Sequence, residues 1–191
     1  MSLTACDDEF GIILKALRFA ARKHSGQQRK GGTHAPYINH PIDVAEILWR
    51  TGGVRDAATL AAALLHDTVE DTGTRPEEIR EAFGEEVLAL VMEVTDDKSL
   101  PKAERKQNQI KTAPHKSPKA RQIKLGDKIS NVYEIAHDPP RDWSLERRKE
   151  YLDWTEQVIN GLRGQNPALE ARYDEVLAEA RQMLQDEMMK K

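Results

Sequence analysis

The chain has 191 residues, enough for one domain with a real apolar core. Charged residues make up 32% and aromatic residues 5%, a balance that disfavours a β-sandwich and suits helices with solvated outer faces. The formal net charge of −3 removes any global drive toward nucleic acid, so an anionic ligand has to be met by a local basic patch.

Apolar residues recur at helical spacing along almost the whole chain, while two-residue alternation is nearly absent. The expected fold is therefore all-α, with about eight or nine helices. The first helix is expected from Asp8 to Lys23, with Phe10, Ile13, Leu14, Leu17 and Ala21 on one face. The polar stretch Ser25 to Thr33 reads as an exposed loop. Pro41 suits a first helical turn, and Val44, Ile47 and Leu48 continue that helix inward. After a turn at Gly52-Gly53, one very apolar helix is expected from Ala57 to about Val69, buried on most sides. Thr74-Arg75-Pro76-Glu77 reads as a capping box with Thr74 as N-cap. Gly84 ends that helix, and Val87 to Val94 belong to the next. Beyond Pro101 come a basic helix from Lys102 to Thr112 and a helix opened by Ser117-Pro118 that runs to about Ala136. Pro139-Pro140 is a stop, and Ser144 to Leu162 and Pro167 to Met189 complete the set.

Cys6 is the single cysteine, which excludes an intramolecular disulfide and a cysteine zinc cage. No stretch approaches the roughly 18 apolar residues of a membrane span, and no basic-then-apolar signal pattern opens the chain. The expected location is cytoplasmic, with neither membrane nor nucleic acid as partner.

The chemistry concentrates in Leu64-Leu65-His66-Asp67-Thr68-Val69-Glu70-Asp71. An imidazole and three carboxylates at the end of an apolar helix are costly to bury unless a metal or proton transfer requires them. His66 and Glu70 are four residues apart, as are Asp67 and Asp71, so each pair is expected along one helix face. A His-Asp dipeptide alone also fits a hydrogen-bonded core histidine beside a solvated helix end. Two further segments add weight: Tyr37-Ile38-Asn39-His40-Pro41 sets a histidine at a helix start, and Lys124 to Asn131 sets Asp127 in an apolar and basic helix.

The order His40, His66-Asp67, Asp127 resembles the metal-binding pattern of HD-domain phosphohydrolases. The wider sequence is similar to the hydrolase domain of RelA/SpoT homologues, closest to the stand-alone Mesh1-like small alarmone hydrolases. The matching stretches are Gln28-Arg29-Lys30, Pro36 to Pro41, Ala63 to Thr72, Val94 to Lys98 with Leu100-Pro101-Lys102, and Lys124 to Asn131. The likeness runs from about His24 to beyond Tyr151; Gly126 departs from it, standing where the family more often has Ala.

The resemblance implies a compact HD-domain fold over 1–191, with its motif core at 24–151 and C-terminal helices at 144–189. His40, His66, Asp67 and Asp127 would ligate one Mn²⁺, the choice of manganese resting on the family. Only His115 lies between the second and last ligands, which favours a single ion. Glu70 and Asp71 would act on the attacking water, their division of labour left open. Arg29, Lys30 and Lys102 would meet phosphate, Asn131 a ribose or phosphate oxygen, and Arg147 and Tyr151 would lie beside the substrate. Trp49, Trp143 and Trp154 are read as core or edge packing rather than base-stacking platforms. The implied reaction is hydrolysis of the 3′-pyrophosphate of guanosine tetraphosphate or pentaphosphate (ppGpp or pppGpp) to GDP or GTP and pyrophosphate. The chain's length is read as leaving no room for a synthetase domain. Two alternatives keep the fold: another nucleotide phosphohydrolase activity, such as a nucleotidase or an NADPH 2′-phosphatase, or a non-catalytic alarmone-binding domain.

Overall fold

Helix α3 (Ala57–Leu65) is built almost wholly of Ala and Leu, and its small side chains let neighbouring helices approach on every side. Eight of its nine residues are buried. Around it pack α1 (Glu9–Lys23), α2 (Asn39–Arg50) and α6 (Glu85–Val94). The structure is a computed structural model that describes residues 9–190; the expected helix start at Asp8 and the lone Cys6 lie outside them.

The second organising element is α8 (Pro118–His137), which packs against α2, α6, α9 (Leu145–Leu162) and α10 (Pro167–Met189). Its stretch Ile123 to Ser130 is buried throughout, including Lys124, Asp127 and Lys128. Gly126 faces α2, where a methyl group would sit 3.2 Å from Val44 Cγ1, a close crossing at which even an alanine needs the Val44 side chain to give way slightly. Two shorter helices, α5 (Pro76–Phe83) and α7 (Lys102–Thr112), and a 3₁₀ turn (Ala113–His115) complete the frame. Among the described residues there is no extended strand, only isolated bridges at Gln28–Pro36 and Gly31–Pro140. Nine helices of eight residues or more are present there, as the periodicity implied.

Most starts follow their caps. Asp56 accepts from the Thr59 amide at 2.8 Å, Ser117 from Ala120 at 3.3 Å, Ser144 from Arg147 and Asn166 from Leu169, each at 3.2 Å. The capping box expected at Thr74 is corrected. The N-cap is Arg75, Glu78 accepts from its backbone N–H at 2.9 Å, and Thr74 is buried with its hydroxyl 2.7 Å from that of Thr72. Pro76 decides the register, because its fixed φ and missing N–H suit the first helical position.

The expected single helix from Ala57 to Val69 is also corrected: it breaks after Leu65, and α4 (Thr68–Asp71) is a separate turn. Side chains take the carbonyls that the helix would use. His66 Nδ1 lies 2.7 Å from the Ala63 oxygen, and the Thr68 hydroxyl donates to the Leu65 oxygen at 2.7 Å. Those oxygens would otherwise accept from the amides of Asp67 and Val69. The break turns His66 and Asp67 toward the same side.

Candidate active site

Four side chains from three segments meet beside that break. His40, in the first turn of α2, sets its Nε2 3.7 Å from Asp67 Oδ2 and 3.3 Å from Asp127 Oδ1. His66 sets its Nε2 3.1 Å from Asp67 Oδ2 and 3.9 Å from Asp127 Oδ1. Such spacings suit ligand atoms around a first-row ion, where bonds of ~2.1 Å leave adjacent donors about 3 Å apart. Each imidazole is oriented through its other nitrogen, His40 by the Ser130 hydroxyl at 3.0 Å and His66 by the Ala63 carbonyl. His66 Nε2 is buried beside the shared centre without a hydrogen-bond partner of proper geometry, although Asp67 Oδ2 lies 3.1 Å away. The donor set therefore fits a divalent cation. His40, His66 and Asp67 are the cluster of metal-capable groups found among the described residues, and Asp127 closes it from α8.

The electrostatics agree with a cation site. Burial disfavours a charged imidazole at His66, yet Asp67 and Asp127 outweigh it and hold the group up at about 9. Asp67, despite its burial, is pushed well below the carboxylate range by the two histidines. Asp127 is likewise lowered, by Lys128 at 2.9 Å and by His40. His40 is held below its ordinary value by burial. Positive charge is drawn to this centre from every side.

Glu70 and Asp71 flank it on α4. Glu70 accepts from the Asp96 amide at 3.0 Å, and Arg105 stands 3.9 Å away. Burial first, then Asp96, Asp67 and Asp71, push its carboxyl above the ordinary glutamate value. Asp71 is gripped differently, by the ammonium of Lys98 and the hydroxyl of Tyr37. That hydroxyl lies 2.6 Å from Asp67 and 3.0 Å from Asp71, so one proton serves two carboxylates and ties α4 to the histidine–aspartate cluster.

A cleft opens over the pair in two lobes that share Lys30, Asp71, Trp143 and Tyr151 as walls. One lobe of about 450 Å³ reaches Arg29, Tyr37 and Asn131; the other, about 680 Å³, reaches Glu70, Lys98, Lys102, Arg105 and Arg147. Partial burial and the cations Arg147, Lys30 and Arg105 together push the Lys102 ammonium down, the signature of a concentrated positive lobe.

The structure thus gathers Lys30, Lys102, Arg147 and Tyr151 around the cleft, with Arg147 stacked 4.4 Å over Trp143. Arg29 is placed otherwise than at a loop tip: its side chain is 14% exposed, its Nε donates to Glu134 at 2.9 Å and its Nη2 to Asn131 at 2.7 Å. Asn131 in turn donates to Asp127 at 2.5 Å, which links Arg29 to the histidine–aspartate cluster. The loop of Ser25 to Thr33 is not simply solvated, since Gly31 is buried and Thr33 is bonded to Asp138. Trp143 is more than edge packing, forming a wall of both lobes, while Trp154 donates to the Lys106 carbonyl. His115 lies exposed in the 3₁₀ turn.

Sequence reasoning missed Tyr37, Lys98, Arg105 and Lys128. Tyr37 and Lys98 fall inside the matched stretches, and Lys128 adjoins Asp127, so position was the available signal.

A methyl group at Gly31 would meet the Asp138 carbonyl oxygen at 2.6 Å and its carboxylate at 2.3 Å. Gly31→Ala is therefore expected to displace the loop carrying Arg29 and Lys30, costing about 1–3 kcal/mol. Thermal melting reads the stability loss, and an unchanged melting temperature would contradict the close approach.

The HD-domain family model matches residues 16–152, more than half of the chain. The chain is 52% identical over 163 residues to guanosine-3′,5′-bis(diphosphate) 3′-pyrophosphohydrolase MESH1 of Xenopus tropicalis, covering 85% of this chain and 91% of that protein. Its likeness to the Homo sapiens protein of the same name is also 52%, over 162 residues, covering 85% and 90%. Among solved structures, a metazoan orthologue of SpoT, described as hydrolysing ppGpp with a role in starvation responses, superposes with a TM-score of 0.86 at 43% identity, covering 88% of this chain and 94% of that one.

Proposed function

The chain belongs to the HD-domain family, among its Mesh1-like hydrolases, and from that premise we propose that it hydrolyses guanosine 3′,5′-bis(diphosphate) at the 3′-diphosphate, releasing GDP and pyrophosphate. One observation carries the reading: a four-donor cation site adjoins two differently held carboxylates at the mouth of a cleft walled by cations.

The domain binds a divalent metal through a site of histidine and aspartate side chains. In the proposal that metal is Mn²⁺, held by His40, His66, Asp67 and Asp127. When bound, such an ion supplies Lewis acidity to water and phosphate. Glu70 takes the proton of the attacking water, a role supported by its raised carboxyl. Asp71, fixed by Tyr37, orients that water. The water oxygen bonds to the phosphorus carried by the ribose 3′ oxygen, the bond from that phosphorus to the 3′ oxygen breaks, and the 3′ oxygen takes a proton from solvent. Lys30, Lys102 and Arg147 offset the charge of the diphosphate, and Trp143 with Tyr151 offers an aromatic wall to the nucleoside. Arg29 and Asn131 act by bracing Asp127 while facing the other lobe.

The reading takes the chain as one cytoplasmic HD-type domain. The packing of α10 on α8 and α9 supports a single body. Among the described residues no helix is long and apolar enough to cross a membrane.

Incubation of the Mn²⁺-loaded protein with the 3′,5′-bis(diphosphate), read by mass, is expected to give GDP and pyrophosphate. Intact nucleotide, or orthophosphate as the released group, would overturn the assignment. NADPH in the same panel reports the competing phosphatase activity.

A further inference from the structure

The loop between α6 and α7, residues 95–101, grips both carboxylates of α4 at once. Its Asp96 amide holds Glu70 at 3.0 Å, and its Lys98 ammonium holds Asp71. The two grips differ in kind. Asp96 is itself fixed by the Gln109 amide from α7, so the backbone contact is braced. Among the described residues Lys98 has no comparable anchor: its side chain is 46% exposed, it ends a flexible four-carbon stem, and with Asp71 it lines the larger lobe. That lobe also presents Lys30, Lys102, Arg105 and Arg147, and partial burial together with the neighbouring cations lowers the Lys102 ammonium. An anion entering it with several negative charges competes directly with the single carboxylate of Asp71 for Lys98.

Resting on the function proposed above, we propose that Lys98 exchanges partners: it pairs with Asp71 before substrate binds and passes to the distal phosphate of the 3′-diphosphate when substrate binds. The exchange leaves Asp71 to Tyr37 and the attacking water, so its carboxylate is clear of the ammonium only when a diphosphate is in place. Lys98 is thereby a specificity-determining residue that reads the second phosphate. A substrate with one phosphate at this position leaves Lys98 on Asp71.

Calorimetric titration of inorganic pyrophosphate and of orthophosphate into the Mn²⁺-saturated protein tests this without turnover. Lys98→Ala is expected to weaken pyrophosphate binding roughly tenfold, the scale of one charge-assisted hydrogen bond, while orthophosphate binding changes less than twofold. Lys98→Arg is expected to restore most of the difference. In turnover, Lys98→Ala should raise KM by a similar factor and leave kcat within about threefold, since Asp71 is already released. Unchanged pyrophosphate affinity, equal losses for both anions, or a large fall in kcat at constant KM would each overturn the exchange. A wild-type protein that binds pyrophosphate through Lys98 yet leaves the nucleotide intact would sink the proposed function and keep this inference. Turnover with no Lys98-dependent pyrophosphate binding would do the reverse.

Discussion

Asp67→Ala is expected to abolish metal retention and lower turnover on the order of a thousandfold or more, because the carboxylate closest to His66 and the acceptor of the Tyr37 proton disappear together. The same variant changes how stability depends on pH. In the chelated wild type, Asp67 and Asp127 hold His66 up at about 9, above the ordinary histidine value of ~6.5. A group raised in the folded state adds stability that is complete below its unfolded value and lost as pH climbs through its folded value. Chelated wild type should therefore lose about 3 kcal/mol between pH 6.5 and 9, and Asp67→Ala should lose much less over that window. Metal-loaded protein follows the opposite sign, since coordination needs neutral imidazole and tightens as pH rises. Thermal melts across this range, with EDTA and with Mn²⁺, separate the two. Parallel curves for wild type and variant under EDTA would show that Asp67 does not govern His66.

Glu70→Gln should lower kcat on the order of a thousandfold while leaving metal content unchanged. Glu70 is not a member of the four-donor set, and a glutamine of the same shape still accepts from the Asp96 amide. The variant should also melt a few degrees higher at neutral pH. The carboxyl is pushed up by burial and by Asp96, Asp67 and Asp71, so its ionisation opposes folding increasingly above the ordinary glutamate value. Removing the charge removes that opposition. An inactive variant with raised melting temperature is the expected pair of results; retained turnover within tenfold would take the proton-accepting role away from Glu70.

Helix boundaries were legible wherever a cap or proline fixes the register locally. Ser117-Pro118, Ser144 and Asn166-Pro167 start helices where the sequence says they should. Legibility failed where two local rules compete. At Thr74 to Glu78 the capping preference of Thr lost to the φ of Pro76, and at His66 to Thr68 strong apolar periodicity lost to side chains that claim backbone oxygens. The gathering of His40, His66, Asp67 and Asp127 was expected from the family resemblance that their order along the chain carries. Contacts made across long separations left no periodic trace. Arg29 looked like a loop cation because Glu134, more than a hundred residues away, is what draws it inward. Tyr37 and Lys98 escaped notice because each matters only through what it touches on α4.

In the proposed site, the gap between α3 and α4 ties recognition of the ion to the secondary structure itself. The imidazole whose Nδ1 lies against the Ala63 oxygen is the one whose Nε2 faces the centre, so ring orientation and backbone path are a single choice. A chain that regained an uninterrupted α-helical ladder here would swing His66 off its bearing with every coordinating residue still present. Conservation of the four donors alone is thus an incomplete test of competence in related chains; the hydroxyl at position 68, which keeps the ladder open, belongs in the same fingerprint.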